Sequence, residues 1–390
     1  MKTFTLVSSL LAAAYAAPAP EQAIGEARDV TQAAPVPIDN PLMRSTEQGV
    51  KVLPRMSMTE PKDGAKRTTV KYGNWMVSST KMMSTIKLAQ GPCGLAGCYV
   101  TAMEATIRYP DGKEANVDTN AWLHHIALFG TGGGGGSIWA AGNERPTLRL
   151  NTGSKYGFDF PSAFMLMIDL MTEDVKPKNL TLEITYEHVP RTTPGYKAAT
   201  MYWLTIGEPA AKTGKYSFST MPSIVSGAGQ LLYSIGHMHD GGDNMSLYVG
   251  GNLVCKSVMH YNSRAGYGKD ANGAADEHAG MAGMAGMAGA KGKAASGSTA
   301  AAAMPKTASG GMVGHSHTKR QHAHGGGGGL HISDPGACTD FGTVTSGQSM
   351  KATAFYDAGK YGLMEHNGAK ERLMGNMRVY IGPTSTGLFG

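Results

Sequence analysis

From Leu180 to His188 apolar and polar residues alternate one by one. Leu180, Leu182, Ile184, Tyr186 and His188 fall on one side of an extended chain, and Thr181, Glu183, Thr185 and Glu187 fall on the other. Successive side chains of a β-strand point to opposite faces, so this period specifies a strand with one buried face; a helix would scatter the same residues around its surface. Segments of similar strand character run over 101–109, 123–129, 163–171, 202–206, 231–237, 246–249, 253–260, 349–356 and 377–381, with Gly250-Gly251 placed as a two-residue hairpin turn between two of them. Long amphipathic helices are absent. The expected fold class is therefore all-β and antiparallel, with jelly-roll or sandwich architecture.

A chain of 390 residues suits two β-cores better than one. The phrase "VPRTTPGY" over 189–196 interrupts the strand pattern with two prolines and a glycine, which predicts a first domain over 68–190 and a second over 196–386. Between 262 and 329 the composition turns to Gly, Ala, Met, His and Lys, as in "MAGMAGMAG" and "GHSHTKRQHAHGGGGG"; this reads as a disordered insertion in the second domain.

The opening residues combine Lys2, an apolar stretch over 4–14 and small residues through Ala17, the layout of a secretory signal peptide over 1–17. The Pro- and Ala-rich 18–67 segment reads as a propeptide or flexible lead ending at the dibasic pair Lys66-Arg67. A second dibasic pair, Lys319-Arg320, lies in the insertion. No segment is long and apolar enough for a membrane helix. The expected location is outside the cell or in the cell wall. In an exported chain the four cysteines are expected to be oxidised. Three pairings are open; the short separation favours Cys93–Cys98, which leaves Cys255–Cys338 across the insertion. Asn179 and Asn244 begin glycosylation sequons. The formal charge of +6 is dispersed, without the interleaved arginines and aromatics that track a nucleic-acid backbone, so nucleic acid is not an expected partner.

Two histidine pairs carry the chemical interest. In "WLHHIALFG" His124 and His125 are neighbours in a strand-like segment, and both reach one metal only if the strand ends or bulges there; otherwise one ring is in the core and the other at the surface. In "GHMHDGG" His237 and His239 are two residues apart and project from one strand face, a spacing suited to copper or zinc. Met374 from a distant segment is a candidate thioether, which tilts the choice toward copper, although 25 methionines make such a candidate easy to find. Met281, Met284, Met287, His315, His317, His322 and His324 in the insertion are either accessory copper donors or low-complexity drift. Motifs for serine hydrolases, zinc proteases and nucleotide binding are missing, and no carboxylate pair stands out, so no catalytic residue is named.

Taken in order, "HHIALFG", "IWAAGNERPTLRL", "TGSKYGF", "FMLMIDLM", "HMH" and "RLMGNMRVYI" resemble the copper core of the ascorbate-dependent type II copper monooxygenases, of the peptidylglycine alpha-hydroxylating kind. "GPCGLAGCYVTAM", "GNERP" and "GHMHDGGDNMSLYVGGNLVC" look closer to fungal relatives of the stress up-regulated nodulin family. The resemblance implies two jelly rolls, each with one copper, facing each other across a cleft. His237, His239 and Met374 would hold the oxygen-binding copper; His124 and His125 would hold the electron-transfer copper, with Asp169 standing where those enzymes have a third histidine. Asp169 would be a ligand or a partner that orients His124 or His125. Where the peptide-amidating enzymes carry a carboxylate-clamping Arg and a substrate-binding Tyr, this chain has Ile235 and Arg378, whereas Asn376 matches. The resemblance thus implies a secreted copper protein with reductant-dependent monooxygenase activity on a small molecule or peptide that is not glycine-extended, using ascorbate or another reductant. A non-catalytic extracellular copper buffer or stress-related protein is the alternative on the same fold, and a scaffold whose histidines merely bond within the core is a third.

Overall fold

The computed structural model describes residues 58, 60–131, 136–264, 266–267, 330–366 and 369–384. The leader, most of the 18–67 segment, and most of the insertion, with its seven candidate donors and Lys319-Arg320, lie outside them. Among the described residues the chain is almost wholly antiparallel β-structure, with two 3₁₀ turns and a single-turn α-helix, Ala358–Tyr361. Among the described residues no helix is long and apolar enough to cross a membrane.

A four-stranded sheet runs in the order Met83–Gln90, Ala163–Thr172, Ala121–Gly130 and Ser137–Gly142. Leu123, Phe164 and Leu170 from it share one core with Ile107, Leu182 and Ile184 of a ten-stranded sheet. That large sheet passes through Lys66–Val77, Lys178–Pro190, Cys98–Arg108 and Tyr156–Phe160 into Lys197–Thr205, Gly375–Pro383, Gly229–Met238 and Ala337–Thr339. Its two halves join where Tyr156–Phe160 and Lys197–Thr205 pair in parallel, Lys197 opposite Tyr156. The second half is covered by a six-stranded sheet containing Ser349–Asp357, Gly242–Val249 and Asn252–Tyr261, and a second core of Met245, Leu247, Ala354, Val379 and Ile381 fills the space between. The backbone thus runs as one hydrogen-bonded sheet past the Pro-rich break at 189–196, while apolar side chains collect on either side of it.

The alternation that opened the sequence reading holds from Leu180 to Tyr186 and then breaks. Glu187 is fully buried and His188 half-buried, because the partner strand shifts register between Val100 and Ala102. Arg149 grips the buried carboxylate with two bonds, 2.7 and 3.0 Å, and Arg67 adds a third at 3.2 Å, so the inward-facing charge is paired. The dibasic pair Lys66-Arg67 is accordingly the start of a strand in register with His188 and Glu187. Gly250 and Gly251 join their strands with φ of 58° and 86°, the left-handed conformation that two-residue hairpins favour.

Cys93–Cys98 and Cys255–Cys338 are both bonded. The second disulfide, with the pairing of Met259 opposite Pro335 and mutual bonds of 3.0 Å between Asn262 and His331, closes a neck at the base of the insertion. Of the two sequon asparagines, Asn179 is half-buried on its strand. Asn244 is buried, its amide donating to Asp243 at 2.8 Å and its carbonyl accepting from Ser246 at 2.9 Å.

A cross-link that spans many residues restricts the unfolded chain more than the folded one. Replacing Cys255 and Cys338 together by serine is expected to lower unfolding free energy by about 2–4 kcal/mol, read as an earlier urea midpoint. The same pair of changes at Cys93 and Cys98, which close a much shorter loop, should cost less.

Candidate metal centre

His124 and His125 lie on one side of their strand because the strand bulges. Leu123 pairs with Leu170 and the next paired residue, His125, faces Asp169, so His124 is an extra residue without a partner. A bulge re-aims side chains that would otherwise point to opposite faces, and the two rings stand 4.1 Å apart between centroids. His237 keeps regular register, opposite Asn376 in the large sheet. The strand ends at Met238, and the amide of His239 donates to the Met374 carbonyl at 3.2 Å. His237 and His239 therefore project from one face, with ring centroids 6.0 Å apart.

The two pairs meet. Ring centroids are 5.4 Å apart for His124 and His239 and for His125 and His237, and 5.5 Å for His125 and His239. One ligating atom from each of His124, His125 and His239 lies within 4.8 Å of the others. The sequence put these residues forward as two sets facing each other across a cleft; the structure gathers all four imidazoles into one cluster.

Each ring has one nitrogen held from behind. His125 donates from Nδ1 to Asp169 Oδ2 at 3.2 Å, His237 from Nδ1 to Glu144 Oε1 at 3.0 Å, and His239 from Nδ1 to the Arg372 carbonyl at 2.8 Å; Nε2 of His124 stands 3.3 Å from Glu371 Oε2. A bond at one ring nitrogen fixes the tautomer and presents the other nitrogen's lone pair. The Nε2 atoms of His125 and His239 face each other at 3.3 Å, a distance at which they share either a proton or an ion. Nδ1 of His124 and Nε2 of His237 are buried without a hydrogen-bond partner among the described residues. Burying such atoms is costly, and an ion accepting their lone pairs removes that cost. The donor set thus fits a borderline cation such as copper or zinc.

Electrostatics keep the cluster ready for a cation. Burial pushes the His125 imidazole down to about 4 against an opposing bond to Asp169, and burial with the neighbouring rings pushes His239 to about 3. Both are neutral at neutral pH, the form a metal requires. Asp169 is half-buried, which opposes its ionisation, but bonds from His125 and Ser84 hold it below the usual carboxylate range. Burial likewise opposes ionisation of Glu144, and the His237 ring and the Arg378 guanidinium, 4.0 Å away, outweigh it and hold the carboxyl at about 2. Asp169 stands behind His125, as an orienting partner would.

Gly142 makes room for this packing: a Cβ there would lie 2.4 Å from His237 Cε1 and 2.7 Å from Glu144 Oε2. Ile235 is buried directly opposite Arg378 in the sheet, and the buried Arg378 side chain turns toward Glu144. The Asn376 side chain accepts from Trp203 Nε1 at 3.3 Å. For Met374 the described contacts are those of its main chain, whose carbonyl also accepts from the Tyr356 hydroxyl at 2.7 Å. Glu144, Glu371 and the His331–Asp240 pair, bonded at 2.8 Å beside the cluster, were not singled out by the sequence. Glu144 lies in the "GNERP" phrase, yet an isolated carboxylate in a loop gives no local sign of the ring it will meet.

No family model matches the sequence. Two curated fungal proteins do, each described as a probable copper-dependent oxygenase. One, from a Phoma species, is 22% identical over 336 residues, covering 80% of this chain and 71% of the relative. The other, from Cochliobolus lunatus, is 22% identical over 299 residues, covering 72% and 78%. A relationship to proteins of the copper oxygenase type, which the ordered motifs implied, is present over most of the sequence. Among solved structures a likeness to N-glycanase F covers 82% of this chain and 96% of that one, at 9% identity and a TM-score of 0.35, too slight to carry weight.

The depressed imidazoles have a consequence for the metal-free protein. An unfolded histidine takes its proton near 6.5, whereas His125 and His239 refuse it until about 4 and 3, so stability is intact above 6.5 and falls as pH drops toward those values. At about pH 5 the loss is on the order of 2 kcal/mol for each residue. Urea unfolding of metal-free wild type and His239→Gln at neutral pH and at about pH 5 checks this. The variant should lose less stability on acidification; an equal loss would mean that His239 is not held neutral.

Proposed function

We propose that the protein is a secreted copper-dependent oxygenase whose copper is held by His124, His125 and His239, with His237 and the Met374 thioether as the further donors. The observation that carries this reading is the convergence of four imidazoles from distant strands, each anchored at one nitrogen, on a common buried space. Imidazole alone serves zinc and copper equally well. The two relatives described as copper-dependent oxygenases tip the choice to copper. Copper bound here supplies one-electron chemistry toward dioxygen when ascorbate or a similar external reductant is present.

The chain's own residues do the rest. Asp169, Glu144 and the Arg372 carbonyl hold their histidines in a single tautomer, so donors need not reorganise when the ion arrives. Burial keeps the His125 and His239 rings neutral, the form that binds a metal. The methionines and histidines of the 262–329 region, Met281, Met284, Met287, His315, His317, His322 and His324, belong to this reading as accessory donors that load the centre.

Copper content of purified protein, followed by reductant-dependent oxygen uptake, tests the proposal. Wild type is expected to retain copper after chelator washing and to consume oxygen above the rate of free copper; His125→Ala and His239→Ala should lose both. Glu144→Gln should weaken copper binding about 10-fold, since it removes the anionic anchor of the His237 ring, and should also lower stability, since buried Arg378 loses the charge it faces. Retained copper with no uptake above free copper would leave a copper-holding protein and end the oxygenase reading.

A further inference from the structure

A second, larger cavity of about 450 Å³ adjoins the histidine cluster. Trp122, Asp240, His331 and Met364 line both spaces, so the cleft and the centre share a wall. The volume lies in the range of small-molecule sites. Much of the lining is apolar or aromatic: Met171, Leu363 and Tyr361 contribute, and the Tyr361 ring is stacked on Tyr261 at 4.2 Å. Trp122 is buried, but one of its edges faces His331 with ring centroids 6.2 Å apart.

The polar groups are few. His331 bonds Asp240 at 2.8 Å, and the backbones of Glu365 and Lys370 stand opposite each other in a two-stranded ribbon. Glu173 is the group that points to a ligand. It is half-buried, and its Oε2 is sealed from solvent with no hydrogen-bond partner among the described residues. An unsatisfied oxygen of that kind is costly to bury. Burial raises its pKa and outweighs the opposing pull of the nearby His331 ring, as it does for a carboxyl whose charge is poorly solvated. An oxygen left unpaired in the wall of a cleft is satisfied when a ligand brings a donor to it.

We propose that this cleft is the substrate site and that it takes an apolar molecule carrying a hydrogen-bond-donating head, a hydroxyl or an ammonium, which meets Glu173. The inference rests on the oxygenase reading for the word substrate; the binding site itself does not need copper. The apolar body lies along Met171, Leu363 and Trp122, and the part lodged between Trp122 and Met364 faces the histidines. A carboxylate head is disfavoured, because the carboxylates of Glu173, Asp240 and Glu365 line the space and, of its two cations, His331 is already bonded to Asp240, which leaves Lys370 on the exposed side. A site built to receive a donor discriminates strongly against a ligand that lacks one.

Calorimetry on the full, metal-free chain near neutral pH, with 1-decanol, decylammonium and decanoate as probes, tests this. The two donors should bind, and decanoate should bind at least about 10-fold more weakly. Glu173→Ala should erase that preference, and Met171→Trp, which fills the cleft, should abolish binding of all three while copper stoichiometry stays at the wild-type value. Decanoate binding as tightly as decanol to wild type, or donor binding unchanged in both variants, would overturn the proposal without reference to either variant's fold in the first case. Wild type that binds decanol but takes up no copper would instead overturn the oxygenase reading and leave the cleft standing as a ligand site.

Discussion

Adjacent residues on a regular strand cannot serve one ion, and the centre depends on the local exception to that rule. The unpaired residue at His124 rotates its side chain to the side of His125, and the pair becomes a two-pronged donor on an inner strand of the four-stranded sheet. The other prong, His237 and His239, needs no such device, because residues two apart share a face. What it needs is space, which Gly142 provides by leaving the surface of the first half flat where His237 approaches. Restoring regular pairing at His124 would separate the rings while leaving the sheet intact.

Concentrating four imidazoles in a buried space is unfavourable for the empty protein. The rings repel any proton that one of them takes up, and two of their nitrogens lack partners among the described residues. The surrounding carboxylates offset part of this by accepting from the outward nitrogens, and Arg378 in turn steadies Glu144. Local stability here is given up to preorganisation, a cost that a bound cation would recover.

The strands were legible because burial on one face writes itself into a period of two, and this held wherever the chain alternated cleanly, as from Leu180 to Tyr186. It failed at Glu187, whose inward turn depends on Arg149 and on an irregularity in another strand, neither visible in the local pattern. Strands such as Lys66–Val77 and Met83–Gln90 were also missed, since both are edge strands and carry polar or exposed residues on both faces. At the site, spacing marked His237 and His239 as partners and stated the condition for His124 and His125. Their meeting was not legible, because it arises from two sheets packed together, and Glu144 and Glu371 find their rings only through that packing, whereas Asp169 reaches His125 by strand pairing within one sheet.

The neck at Asn262 and His331 joins residues 69 apart in the chain by direct bonds, backed by a disulfide and strand pairing. To the folded body this long excursion is equivalent to a short hairpin, so its length and composition are free to drift without disturbing either core. Yet His331, one half of that clasp, also forms part of the partition between the histidines and the adjoining cleft. The clasp and the partition thus share one residue.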